Sequence, residues 1–82
     1  MENLNNWINE EEMLIKNFTF NNFIEAVDFV NNIVPLAEKL EHHPDIEIFS
    51  YKNVRVKLTT HDAGNKVTEK DIELAKEIDK LN

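Results

Sequence analysis

The stretch IEIFSYKNVRVKLTTH, residues 46–61, decides the fold. It contains two β-prone runs, IEIFSY (46–51) and VRVKLTTH (54–61), separated by Lys52 and Asn53. Alternating apolar residues are typical of strands with one buried face, and a two-residue connection is the length of a tight hairpin loop. Asn53 tolerates the positive φ that such a loop requires. The sequence therefore predicts an antiparallel hairpin.

The predicted loop also gives a strand register. If Tyr51 lies opposite Val54, the ladder continued outward places His61 opposite Pro44 and therefore beside His43. Directly opposed Cα atoms of an antiparallel pair lie about 4.5–5.5 Å apart. This register predicts that histidines distant in the sequence meet at the open end of one hairpin.

Side-chain alternation assigns the two faces of this hairpin. The predicted core face consists of Phe49, Tyr51, Val54, Val56 and Leu58. The predicted open face consists of Ile48, Ser50, Arg55, Lys57, Thr59 and His61. Because a one-residue slip of one strand reverses its faces, this assignment depends on the predicted register.

A second hairpin is predicted upstream. Residues 7–8 begin a short strand that the acidic triplet 10–12 interrupts, and MLIKNFTF (13–20) is apolar and β-prone. Alternation places four side chains on one face of this second strand, namely Leu14, Lys16, Phe18 and Phe20.

A long helix follows, with Asn21 or Asn22 as its N-cap. Apolar residues at three- and four-residue spacing form the predicted buried stripe: Phe23, Ala26, Val27, Val30, Ile33, Val34, Ala37 and Leu40. Three apolar residues fall outside it: Ile24, Phe29 and Leu36. They are either scattered exposed side chains or a second apolar face used in self-association. Pro35 should kink this helix, and Pro44 supplies a stop.

The last predicted element is a helix that begins at T-E-K-D, residues 68–71, a sequence similar to a capping box. Its core-facing residues are Ile72, Leu74, Ala75, Ile78 and Leu81. The element order β-β-α-β-β-α predicts an α+β fold, in which helices pack on one face of a four-stranded antiparallel sheet. We expect one domain over residues 1–82.

The composition narrows the function classes. The chain has 82 residues, a net charge of −7, no cysteine and one glycine, Gly64. The negative charge argues against a direct nucleic-acid partner, and a single glycine excludes the common glycine-rich phosphate loops. Neither a signal peptide nor an apolar run long enough to span a membrane is visible, so a cytoplasmic location without membrane contact is expected.

The three histidines of the chain form one predicted cluster. Glu38 and His42 are four residues apart at the end of the long helix, where a carboxylate can fix the tautomer of an imidazole. The cluster consists of Glu38, His42, His43 and His61, flanked by Asp45 and Asp62. Each histidine alone also has a simpler interpretation. The dipole of a helix stabilises a histidine near its C-terminus by about 0.3–1 kcal/mol, and a histidine at the end of a strand is usually solvated.

The histidine cluster is compatible with either zinc binding or acid–base catalysis. Three imidazoles and a carboxylate can hold zinc. However, the HExxH and HxH spacings are absent, and adjacent histidines on a chain leaving a helix point in diverging directions. Imidazole is suited to acid–base catalysis near neutral pH. The sequence therefore favours an acid–base site that holds no metal.

These residues resemble the motif of the pterin-4a-carbinolamine dehydratases, which in animals are also called dimerisation cofactors of a homeodomain transcription factor. The resemblance rests on E-K-L-E-H-H-P-D (38–45), Tyr51, T-T-H-D (59–62) and Asp71. It extends from Trp7 to the C-terminus. Two departures are noted. The additional N-terminal helix common in the family is expected to be missing, and Ile46 stands where tryptophan is frequent.

The resemblance implies a dehydratase that converts 4a-hydroxytetrahydropterin to quinonoid dihydropterin and water in tetrahydropterin recycling, with no metal or organic cofactor. It implies that His42 and His61 are acid–base groups, that His43 positions and polarises the pterin, and that Glu38 orients His42. The residues expected to border the pterin are Glu41, His42, His43, Thr59, Thr60, His61 and Asp62. For Asp71, a helix-capping role is the simpler interpretation.

The resemblance also implies a homodimer or homotetramer, in which sheets pair edge to edge and long helices pack together. Two other functions stay open. One is a protein-interaction or transcription co-regulator module on the same fold, and the other is a role in molybdopterin metabolism. A complete set of acid–base residues favours the enzyme, since a pure scaffold does not need them.

Overall fold

The polypeptide forms a four-stranded antiparallel sheet with two helices packed on one face, in a computed structural model that describes residues 7–81. The elements are β1 (Ile8–Glu10), β2 (Met13–Thr19), α1 (Phe23–Leu40), β3 (Asp45–Phe49), β4 (Asn53–Leu58), a 3₁₀ turn (His61–Ala63) and α2 (Glu69–Asp79). The strand order is β1-β2-β4-β3. The predicted element order and fold class are confirmed. The expectation about a missing N-terminal helix concerns residues before Trp7, outside the described range.

The first hairpin has the predicted position. Ile8 pairs with Ile15 and Glu10 with Met13, which leaves Glu11 and Glu12 as a two-residue loop. Both loop residues have positive φ, 53° and 63°. These values fit a type I′ turn, whose twist matches that of the flanking strands.

The register predicted for the second hairpin is wrong. Phe49 pairs with Asn53, three residues along β4 from its predicted partner Val56. The loop is residues 50–52 rather than Lys52–Asn53. Its positive φ values belong to Ser50 and Tyr51, 49° and 52°, and not to Asn53. Left-handed conformations at residues other than glycine and asparagine are uncommon, so the residue types of this loop do not indicate its conformation.

The shift by an odd number of residues reverses the faces predicted for β3. Ile46 and Ile48 pair with Val56 and Val54, so they share the core side of the sheet. Phe49 lies on the open side with the Arg55 guanidinium 4.5 Å from its ring centre. The predicted core face of β4 is confirmed, since Val54, Val56 and Leu58 are fully buried. Thr59, predicted on the open face, follows the end of the strand and is buried, and the predicted core residue Tyr51 is 61% exposed.

Helix α1 begins after Asn22, whose side chain accepts a hydrogen bond from the Glu25 amide at 2.9 Å. Its buried residues are Ala26, Phe29, Ile33 and Ala37. Phe29 was wrongly placed outside the stripe; its ring packs 4.7 Å from that of Phe18, centre to centre. Phe23 and Val34, predicted as buried, are 54% and 51% exposed.

Apolar residues cover a broader arc of α1 than the part that is buried, which explains the misplaced stripe. Periodicity then identifies a helix without choosing the side that meets the sheet. Leu36 packs partly buried against the core, so of the three residues predicted outside the stripe only Ile24 is strongly exposed, at 71%. The helix runs without interruption through Pro35. No helix among residues 7–81 is long and apolar enough to cross a membrane.

A polar cluster joins the two ends of the described chain. The Trp7 indole Nε1–H donates to both carboxylate oxygens of Asp79 at 3.0 Å, and Lys16 Nζ donates to Oδ1 at 2.8 Å. Lys16 also lies 4.8 Å from the centre of the Phe18 ring. The end of α2 is thereby fastened to β2 and to the residue that precedes β1.

Replacing Asp79 by alanine is expected to destabilise the protein by about 1–3 kcal/mol, because a largely buried lysine and the Trp7 N–H both lose their acceptor. Urea unfolding measures the change. Asp28→Ala, at an exposed position on α1, is the matched control and should stay within about 0.5 kcal/mol. Equal stability of the two variants would contradict a stabilising role for the cluster.

Candidate active site

The end of α1 separates the two adjacent histidines. Glu41 adopts a left-handed conformation with φ 51°, and its N–H donates to the Glu38 carbonyl at 3.2 Å. The His42 N–H donates to the Ala37 carbonyl at 3.0 Å. These two bonds form a Schellman motif, which ends the helix before either histidine. His42 is consequently buried, whereas His43 is exposed.

His42 is held by Asp71, the third residue of α2. The His42 Nε2 to Asp71 Oδ1 distance is 2.5 Å, and both side chains are buried. Since a carboxylate only accepts hydrogen bonds, the proton of this contact belongs to Nε2. In the neutral ring Nδ1 is then the nitrogen that can accept a proton.

Asp71 also caps α2, as the sequence predicted. Its Oδ2 accepts the Thr68 N–H at 2.9 Å and the Thr60 hydroxyl at 2.8 Å, and Thr68 and Asp71 form a capping box. The capping interpretation is therefore right but incomplete, because the same carboxylate holds His42. One buried side chain connects the end of α1, the segment after β4 and the start of α2.

The predicted pairing of Glu38 with His42 is wrong. Glu38 Oε2 lies 2.7 Å from His43 Nε2, and both side chains are exposed. Residues four apart face each other only within a helix. Because α1 ends at Leu40, His42 has already left the helical path and His43 turns back towards Glu38.

His61 reaches the site from the 3₁₀ turn and not from a strand as predicted. Strand β4 ends at Leu58, and Thr60 pairs with Lys66 in an isolated bridge that closes the intervening loop. His61 Nδ1 lies 2.7 Å from the side-chain oxygen of Asn65. An amide oxygen only accepts, so Nδ1 is the donor and Nε2 is free to exchange a proton.

One pocket of about 180 Å³ brings these groups together. Its lining residues are Glu41, His42, His43, Thr59, Thr60, His61, Asp62 and Lys70. The predicted substrate-binding residues all contribute, including the three histidines. Glu38 lines a neighbouring pocket instead, and Asp45 lies by the open face of the sheet.

The histidines still come together although the predicted register is wrong, because they follow the open end of the β3–β4 hairpin. Continued past its last pair, Asp45 with Lys57, the observed register sets His43 across from Thr59. The residues between α1 and β3 and those after β4 therefore meet at this end of the hairpin in both the predicted and the observed register.

Lys70 and Asn65 were not predicted from the sequence as site residues. Among residues 7–81, Lys70 is the one lysine or arginine that lines the pocket, which Glu41 and Asp62 also line. Lys70 belongs to the T-E-K-D start of α2, so the capping signal could have located it. Within residues 7–81, no group of three histidine, aspartate or glutamate side chains is placed to hold a metal ion.

The arrangement supplies two imidazoles, in each of which one ring nitrogen donates to a side chain and the other has no hydrogen-bond partner among residues 7–81. His42 is anchored by Asp71 and His61 by Asn65. An imidazole in this state can accept a proton, and its protonated form can deliver one. The pocket can therefore move protons at two positions on a bound organic molecule.

The chain is similar to known proteins of one family. Residues 1–81 match the family model described as pterin 4 alpha carbinolamine dehydratase. A Picosynechococcus protein named "Putative pterin-4-alpha-carbinolamine dehydratase" is 53% identical over 75 residues, which are 92% of this chain and 79% of the relative. A Sulfurisphaera tokodaii protein of the same name is 44% identical over 81 residues, 99% of this chain and 85% of the relative.

Solved structures show the same fold. A transcriptional coactivator/pterin dehydratase from Brucella melitensis superposes with a TM-score of 0.85 and 34% identity, covering 94% of this chain and 82% of that one. A pterin dehydratase-like protein identified as a RuBisCO assembly factor in the alpha-carboxysome has a TM-score of 0.73 at 24% identity, covering 92% and 87% of the two chains, and shares the fold. The chain belongs to the pterin 4 alpha carbinolamine dehydratase family.

Proposed function

We propose that this protein is a dehydratase that converts 4a-hydroxytetrahydropterin to quinonoid dihydropterin and water, in tetrahydropterin recycling. The C4a–O bond breaks, the departing hydroxyl takes up a proton as water, and N5 loses its proton as the C4a–N5 double bond forms. This proposal rests on the pocket, which three histidines line. Two of these histidines are held by a side chain, His42 by Asp71 and His61 by Asn65.

In this proposal His42 and His61 exchange the two protons. Each has one ring nitrogen engaged and the other unpaired, which suits an acid and a base acting on one ring system. His43 positions and polarises the pterin. The observed contacts revise one supporting role, since Glu38 orients His43 and Asp71 orients His42.

Other pocket residues border the substrate in this proposal. Glu41 and Asp62 offer carboxylates to the N–H groups of the pterin. The hydroxyls of Thr59 and Thr60 donate to the Glu12 carbonyl and to Asp71, so they offer the pterin their oxygens as acceptors. Neither a metal nor an organic cofactor takes part in the scheme, because the pterin is itself the substrate. We place the reaction in the cytoplasm, after an aromatic amino acid hydroxylase.

The intact protein is expected to accelerate the decay of 4a-hydroxytetrahydropterin well beyond its spontaneous rate, followed by stopped-flow absorbance. A solution of free imidazole at three times the protein concentration is the matched control, because it supplies the same number of acid–base groups without a pocket. General acid–base groups held in position contribute about 10²–10⁴-fold. A rate no greater than that with imidazole would reject the proposed reaction.

A protein-binding role is the second candidate, and the exposed apolar residues of α1 favour it. Phe23, Ile24 and Val34 are all more than half exposed. The Brucella relative is named both a coactivator and a dehydratase. The two functions are separable, since variants of α1 should leave the dehydratase pocket intact.

A role in molybdopterin metabolism stays a further alternative, and pterin turnover assays distinguish it.

We further propose that the chain forms a homodimer or homotetramer through this apolar face and the β3 edge. Light scattering should give a mass two or four times the 9.6 kDa of the chain. Val34→Glu should shift the mass downward, because a charge would enter the contact. Asn31→Glu, on the same helix at an exposed polar position, tests whether charge alone has this effect. A wild-type protein that is strictly monomeric would contradict the proposal.

A further inference from the structure

We infer that Thr60 and Thr68 form a hydroxyl relay that positions His42 through Asp71. This inference rests on the proposed function, in which His42 transfers a proton. Neither threonine hydroxyl needs to touch the pterin for the relay to act. The relay makes the N-cap of α2 part of the machinery that orients the acid–base histidine.

The hydrogen-bond directions along the relay are determined by chemistry. The Asp71 carboxylate can only accept, so the Thr60 hydroxyl donates its single proton to Oδ2 at 2.8 Å. The contact of 2.6 Å between the Thr60 and Thr68 hydroxyls must then be donated by Thr68. Thr68 Oγ1 in turn accepts the Lys70 N–H at 3.3 Å. All protons point towards Asp71, and the His42 N–H reaches the same carboxylate from the other side.

The relay constrains the rotation of the carboxylate. Two donors, the Thr60 hydroxyl and the Thr68 N–H, converge on Oδ2 and leave Oδ1 aimed at His42. Asp71 and Thr60 are 0% and 6% exposed, so water cannot readily replace a missing donor. Loss of the Thr60 hydroxyl would leave the Thr68 N–H as the one donor to Oδ2, so the carboxylate could turn more freely and would constrain the His42 tautomer and ring orientation less.

The two threonines differ in a way that makes the relay testable. Thr60 lines the histidine pocket and could also contact substrate, whereas Thr68 lines only the adjoining pocket at the start of α2. Thr68 also caps α2, so its loss lowers stability as well. Only the relay predicts that the Thr68 hydroxyl affects the His42 ring by way of Thr60.

The experiment compares Thr60→Val, Thr68→Val and the double variant with Thr60→Ser and Thr68→Ser. Thr60→Val should lower kcat about tenfold, as expected for a lost hydrogen bond to a charged group. The serine variants keep the hydroxyls and should restore most of the kcat that the matching valine variants lose. Thr68→Val should lower kcat in the wild-type background and have no further effect on kcat beside Thr60→Val.

Nitrogen-15 spectra of the His42 ring give a readout independent of activity. The wild type should show a protonated Nε2 and an unprotonated Nδ1, and both valine variants should show mixed tautomers. Unchanged ring spectra in Thr68→Val and Thr60→Val, or additive effects of the two changes on kcat, would overturn the relay. Should Thr60→Val fail to fold, the Thr68→Val and Thr68→Ser spectra decide alone. A wild type without dehydratase activity would reject the proposed function, while the spectra would still test the relay.

Discussion

Replacing His42 by glutamine is expected to lower kcat for the proposed dehydration by about 10²–10⁴-fold, the usual contribution of a positioned acid–base group. His42 is the most buried of the three histidines, and its Nε2 is committed to Asp71. A glutamine amide can still donate to Asp71, so the buried carboxylate keeps a partner and the fold should survive. What disappears is the imidazole, the acid–base group at this position. Circular dichroism checks the fold, and stopped-flow absorbance measures the rate.

His43→Gln is the matched comparison for this variant. His43 and its partner Glu38 are both exposed, so the imidazole there is oriented by a solvent-accessible contact and is not shielded from water. Its loss should change KM more than kcat, in keeping with a positioning role. If His43→Gln removed activity while His42→Gln retained it, the two roles would have to be exchanged.

The element order was predictable from sequence because its signals are local. Asn22 before α1 and the T-E-K-D start of α2 each cap the helix that follows them directly, and short contacts of this kind leave clear patterns. The strands β2 and β4 alternate apolar and polar residues, so their buried faces were also predictable.

The strand register was not predictable, because it depends on backbone conformation in a loop. Ser50 and Tyr51 both adopt positive φ without being glycine or asparagine. The residue types in this segment therefore favour a two-residue loop, whereas a three-residue loop forms. The same limitation applies to Glu41, whose left-handed conformation ends α1 and sends Glu38 to His43 instead of His42.

The contact between His42 and Asp71 was missed for a different reason. The two residues are 29 apart in sequence, and capping of α2 already explains an aspartate at that position. A residue with one sufficient local role gives no sign of a second, long-range role. Only the packing of α2 beside the end of α1 reveals it.

Replacing Asp71 by asparagine is expected to lower kcat by at least about 10²-fold, because it should reverse the tautomer of His42. An amide has one accepting oxygen and one donating nitrogen. The Thr68 N–H and the Thr60 hydroxyl both require an acceptor at the Oδ2 position, which places the amide oxygen there. The amide nitrogen then faces His42 Nε2, and that nitrogen must lose its proton to accept.

The proton of the neutral His42 ring would move to Nδ1, which would no longer be free to accept one during the reaction. Stability should fall by about 1–3 kcal/mol, since a hydrogen bond to a buried charge is replaced by a neutral one. Asp62→Asn, at an exposed carboxylate that lines the same pocket, serves as the control and should have a much smaller effect on both quantities. Kinetics, urea unfolding and nitrogen-15 spectra of the His42 ring measure the three effects. An Asp71→Asn variant that is destabilised but has the wild-type kcat and ring spectrum would leave Asp71 a helix cap only, and the acid–base role of His42 would then need another orienting group.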